Sequence, residues 1–303
     1  MAQAESISAA EPVEAAVHAG PDRAALAAFG GAVAIGGSNF VAIRFSNQEL
    51  DPLWGAGLRF ALAAVVFGLL CVALRLRLPR GRPLALVAAY GLLAFGGAYG
   101  CLYWAMQEVP AGVAAVVMAV GPLLTLLLAV GHGMERLGMR PLAGALVALA
   151  GSVVIFFQPG SAEFGLLSFA LLGLAALCAA QSVVVSKLAG RHSPVAMNFV
   201  GMSAGSVVLL AAALVAGETL ALPREGETQL ALVYLIAATV ALFLLVLLVV
   251  QRWTASATSY VFVLMPVTAV AFGALVADEA ITATTLAGGA IVCAGVYAGA
   301  VRR

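Results

Sequence analysis

The sequence predicts an all-α membrane protein of ten transmembrane helices, built as two inverted five-helix repeats with N- and C-termini cytoplasmic. Three observations predict this. First, the 303 residues are 63% hydrophobic and 10% charged, with a mean hydropathy of +1.09; a soluble domain is roughly 45–50% apolar and about 25% charged. Second, the apolar residues fall into ten runs near the length of about 20 residues that a helix needs to cross hydrocarbon. Third, the chain matches itself without a gap when Glu135 is laid on Glu279. The composition excludes a soluble enzyme and a disordered protein. A net charge of +1 offers no basic face, which excludes a nucleic-acid partner. The 33 glycines suit close helix packing in lipid.

Residues 1–22 carry Glu5, Glu11, Glu14 and Asp22 but no Lys or Arg. They lack the basic start of a signal peptide and are expected to be a disordered cytoplasmic tail. The apolar runs then cover 24–43, 53–73, 84–106, 111–131, 141–157, 164–185, 195–216, 229–250, 255–276 and 284–301. Most are too continuously apolar for one-sided soluble helices. They also lack the alternation of a membrane barrel strand. Short breaks such as Asp51-Pro52, Arg80-Gly81-Arg82-Pro83, Pro159-Gly160 and Pro223-Arg224 separate them. Cys71, Cys101, Cys178 and Cys293 lie inside apolar runs without metal or redox spacing and read as small buried hydrophobes.

Orientation follows from the Lys and Arg residues, which are retained in cytoplasmic loops. With the N-terminus inside, the inner segments hold Arg23, Arg75, Arg77, Arg80, Arg82, Arg136, Arg140, Lys187, Arg191, Arg252, Arg302 and Arg303. The outer loops hold only Arg44 and Arg224 among the basic residues. They are otherwise acidic, with Glu49, Asp51, Glu108, Glu163, Glu218, Glu225, Glu227, Asp278 and Glu279.

The self-match pairs Ala111 with Ala255, Val117 with Val261, Pro122 with Pro266 and Glu135 with Glu279. It also pairs Leu142-Ala143-Gly144 with Leu286-Ala287-Gly288, and Ala150-Gly151 with Ala294-Gly295. Five spans, an odd number, separate each residue from its partner, so the two halves enter the membrane from opposite sides. The expected units are the tail 1–22, a first half 23–158 and a second half 159–303. Inverted halves give two conformations of similar energy, one open to each side, which is the basis of alternating access.

Three stretches carry a resemblance to the drug/metabolite transporter superfamily in its ten-helix EamA type. One is Gly36-Gly37-Ser38-Asn39-Phe40 followed by Leu58-Arg59-Phe60. Another runs from Pro110-Ala111-Gly112-Val113-Ala114-Ala115 through Pro122 to Glu135-Arg136-Leu137 and Gly144. The last is the second-half copy, Ala255 through Pro266 to Glu279 and Gly288. The resemblance implies a five-plus-five inverted fold, no cofactor, and passage of small metabolites across the cell inner membrane. Many members resemble amino-acid or metabolite exporters. Small four-helix relatives use a first-helix glutamate for proton-coupled efflux of cationic drugs, and residues 24–43 contain no acid.

Polar side chains inside the spans are the candidate site. Arg59 reads either as a cavity charge attracting carboxylates or as a snorkelling arginine paired with Glu49 or Asp51. Ser38 and Asn39 in the first span, with Gln181 and Ser182 in the sixth, offer groups that suit zwitterions or neutral polar solutes; the other reading is hydrogen bonding between helices. Tyr99, Tyr260, Met118 and Thr239 are candidate cavity walls, or packing. Pro122 and Pro266 are expected in mid-helix, as hinges or static kinks. Glu135 and Glu279 are expected to cap the helices that follow them rather than to couple protons.

No metal site is visible, and no HExxH, GxSxG or paired intramembrane carboxylates mark an enzyme; His18, His132 and His192 lie in tails or near span ends. The expected function is a secondary transporter, an exporter or exchanger of small polar metabolites with amino acids leading. The alternatives are a non-transporting scaffold or receptor, and a multidrug efflux carrier. The expected partners are a small-molecule metabolite and the lipid bilayer, with the chain a monomer or homodimer.

Overall fold

Apolar stretches bounded by Pro and Gly become helices because, away from water, only a helix satisfies each backbone N–H and C=O within its own segment. The computed structural model describes residues 22–46, 48–105, 108–109, 114, 117–156, 165–276 and 283–301. Among the described residues every regular element is a helix. We label them α1 (Arg23–Ser46), α2 (Pro52–Ala73), α3 (Arg82–Ala105), α4 (Gly121–Gly131) and α5 (Met139–Phe156). The remainder are α6 (Leu166–Leu188), α7 (Pro194–Ala216), α8 (Gly226–Arg252), α9 (Ala255–Val276) and α10 (Ala283–Val296). Helices α2, α3, α6, α7 and α8 are long and apolar enough to cross a membrane.

Local chemistry sets several boundaries. Pro52 and Pro194 open α2 and α7, where a missing N–H costs nothing. Gly217 closes α7 in the left-handed conformation, at φ +73°. Helix α3 is α-helical to Gly91, π-wound over Leu92–Ala98, and α-helical again from Tyr99. Val72, Leu166 and Val215 are among the most exposed apolar side chains, as lipid-facing positions should be.

One expectation fails in detail. The run 111–131 is not a single unbroken helix. A turn at Ala119–Val120 precedes α4, and Pro122 sits in its first turn rather than in mid-helix. A proline is better tolerated at a helix start, where no intrahelical bond is lost. Helix α9, by contrast, runs without interruption through Pro266.

The main packing pairs are α1 with α8 and α9, α6 with α3 and α4, α2 with α7 and α8, α3 with α7, α4 with α9, and α5 with α10. This set is unchanged when α1–α5 are exchanged in order with α6–α10. The α5–α10 contact shows it at atomic scale. A Cβ on Gly144 would fall 2.7 Å from the Gly295 carbonyl oxygen, and one on Gly295 would fall 2.8 Å from that of Gly144. Likewise a Cβ on Gly151 would lie 2.9 Å from the Gly288 oxygen, and one on Gly288 would lie 2.8 Å from that of Gly151. The two helices are antiparallel with backbones touching, and the four glycines are the ones the self-match pairs.

Candidate functional site

Helices α2, α3 and α8 bring a buried charge against an aromatic cluster. Arg59 is only 2% exposed. It lies seven residues into α2, roughly 10 Å deep at about 1.5 Å per residue. Its Nε donates to Thr239 Oγ1 on α8 at 2.6 Å. Its Nη1 has no hydrogen-bond partner among the described residues. Tyr99 and Tyr103 of α3 lie close enough to feel its charge. The Tyr99 and Tyr103 rings stack at 6.1 Å. Phe60, Phe95 and Phe243 meet one another at centroid distances of 4.8 to 6.3 Å, and Phe60 meets Tyr99 at 4.8 Å. The structure therefore joins Arg59, Thr239 and Tyr99, three residues that the sequence singled out separately.

Arg59 does not pair with Glu49 or Asp51. Those carboxylates stay at the helix ends and bind the chain between α7 and α8. Glu49 accepts from the amides of Arg224 at 2.6 Å and Glu225 at 3.1 Å, and Asp51 from that of Thr219 at 2.7 Å. Glu218 reciprocates, accepting from Leu53 at 3.1 Å and Trp54 at 2.6 Å in the first turn of α2. The amide bonds, that from Arg224 foremost, hold the Glu49 pKa below its ordinary value of 4.5.

The other candidates are dispersed. Ser38 donates to the Ile35 carbonyl at 2.8 Å and shares a 2.6 Å hydrogen bond with Tyr234. It lines an open groove of about 610 Å³ with Phe45, Leu230, Tyr234 and Phe272. Asn39 is buried, and among the described residues neither its Oδ1 nor Oε1 of Gln181 has a hydrogen-bond partner. Ser182 bonds the carbonyl of Ala179 in its own helix, at 2.7 Å. Tyr260 is fully buried and donates to the Pro141 carbonyl at 3.3 Å, which fastens α9 to α5. Met118 is half-buried.

Glu135 reaches a different helix from the one expected. Its carboxylate accepts from Ser256 N at 3.1 Å and Ser256 Oγ at 2.5 Å, in the first turn of α9, not of α5. Beside it Lys187, at the end of α6, donates to the Trp253 carbonyl and feels the Glu135 charge. Glu279 lies outside the described residues. Sequence reasoning missed a further buried pair: Tyr90 of α3 donates to Asn198 Oδ1 of α7 at 3.3 Å, and Asn198 Nδ2 has no partner among the described residues. A lone amide in an otherwise apolar run was the available signal.

Comparison with known proteins matches this chain to the model of the EamA-like transporter family twice, over residues 23–157 and 166–298. A "probable terminal-alkyne amino-acid exporter" of Streptantibioticus cattleyicolor is 31% identical over 57% of this chain, which spans 58% of that relative's length. A "probable amino-acid metabolite efflux pump" of Salmonella typhimurium is 30% identical, with 88% of this chain and 91% of the relative aligned. The inner membrane transporter YedA of Escherichia coli K12 is 32% identical over 82% of this chain and 81% of its own length. A solved crystal structure shares the fold, with a TM-score of 0.78 at 20% identity, covering 92% of this chain and 98% of the other.

Proposed function

The chain belongs to the EamA-like transporter family, and from that premise we propose that it is a secondary exporter or exchanger. It moves small polar metabolites, amino acids leading among them, across the inner membrane by alternating access. Ten spans form two inverted halves, and both termini face the cytoplasm. The observation that carries this reading is the packing of α5 on α10, where Gly144 meets Gly295 and Gly151 meets Gly288. Exchanging the halves turns one glycine pair into the other, as expected of a molecule whose two open states are mirror uses of one fold. The names of the Streptantibioticus and Salmonella relatives support amino acids as cargo. Counterflow of labelled amino acids in proteoliposomes containing the purified protein tests the reading. Exchange dependent on internal unlabelled amino acid is the expected result. Proteoliposomes as tight as empty vesicles to every solute tried would leave a receptor or scaffold instead.

A further inference from the structure

A buried guanidinium without a counter-charge is costly, since taking an ion out of water is repaid only by a well-placed partner of opposite sign. Among the described residues Arg59 has no such partner. Asp22 pairs with Arg252, Glu49 and Asp51 with amides before α8, and Glu218 with amides of α2. Glu108 accepts from Ser168 and Glu135 from Ser256. None of the ten apolar runs contains Asp or Glu. What Arg59 has instead is neutral: the Thr239 hydroxyl, two nearby tyrosines, and the Phe60 ring at 5.2 Å.

We infer that Arg59 is the anchor for a substrate carboxylate, with Nη1 donating to one carboxylate oxygen. The inference rests on the transporter reading and names the substrate's chemistry. The position favours it: Arg59 lies between α3 and α8, the helices that exchange places when the halves are swapped. Transporter sites of this build lie at the interface of the repeats. The identity of the free donor favours it too. Nε is committed to Thr239, the Tyr103 hydroxyl lies against the guanidinium, and the two N–H groups of Nη1 are vacant among the described residues; one cation with free donors matches the single negative charge of a carboxylate. The adjoining rings of Tyr99 and Phe60 provide an apolar wall for the rest of a small amino acid.

The test is binding to the purified full chain, read by thermal shift over ligand concentration, with L-leucine, L-threonine and L-glutamine and the α-amide of each. At least one free acid should bind wild-type protein about ten-fold more tightly than its amide, the ratio expected of one charged hydrogen bond. Arg59→Gln should erase that preference, and Arg59→Lys should keep part of it. The anchor is overturned by equal binding of acid and amide, by an unchanged preference in Arg59→Gln, by binding of inorganic phosphate in place of amino acids, or by no binding of any probe. If Arg59→Gln does not fold, the wild-type ratio and Arg59→Lys still decide. Counterflow without acid preference would refute the anchor and leave the carrier standing.

Discussion

Thr239 holds Arg59 from a neighbouring helix, so its hydroxyl can be tested apart from the charge. Thr239→Val keeps the shape and removes the acceptor at 2.6 Å from Nε. A second unsatisfied buried donor should cost about 1–3 kcal/mol, seen as a lower midpoint of thermal unfolding in detergent; Thr239→Ser should stay near wild type. Glu49 offers a pH handle outside the spans. Its pKa is depressed in the fold, so its contribution is complete above the ordinary value of 4.5 and is lost as pH falls through the depressed one. Thermal stability of the wild type should therefore drop more steeply below about pH 4.5 than that of Glu49→Gln; parallel curves would show that the amide bonds to Arg224 and Glu225 contribute nothing. At this scale the sequence was only partly legible. A lone arginine or threonine in an apolar run is conspicuous. Which helix it turns toward depends on packing between residues about 180 positions apart, and no local pattern encodes that.

Helices were more legible than contacts, because ten apolar runs between turn residues leave the backbone few choices in lipid. The break before α4 was not legible: Pro122 and Pro266 occupy matched positions, yet one begins a helix and the other lies inside one. The partner of Glu135 was misjudged for a related reason. Capping was reasoned from the adjacent helix, whereas the fold carries the α4–α5 connection to the first turn of α9. Glu135→Gln should keep part of this contact and Glu135→Ala should lose it, lowering stability by about 1 kcal/mol for a lost cap. The glycines of α5 and α10 give a sharper element-scale prediction. Gly295→Leu would drive a side chain into the backbone of Ala148 and Gly144. Overpacking typically costs about 1–3 kcal/mol, and rigid backbone yields less than a side chain. Folded yield by size-exclusion chromatography should collapse for Gly295→Leu and hold for Gly30→Ala, where a Cβ meets nothing within 4 Å.

For the whole molecule, the question is what drives the change between its two open states. A proton relay needs a titrating group that the membrane interior can reach. The described carboxylates with resolved partners sit at helix ends, bonded to amides, hydroxyls or Arg252, and none of the ten apolar runs has an acid of its own. Phosphate-bond drive would need a Walker sequence, and this chain has none; Lys187, its one lysine, instead bonds the Trp253 carbonyl. From these placements we predict that the solute itself supplies the bias, which it can do only by binding one state more tightly than the other. On the proposed inverted architecture, exchange should then run on solute gradients alone. Amino-acid counterflow in proteoliposomes should survive a protonophore with its rate unchanged, and an imposed pH gradient should not accumulate solute. Abolition of counterflow by the protonophore would place a coupling proton in the cycle. The first group to test would then be Glu135, the carboxylate whose charge reaches Lys187 and whose loop is tied to α9.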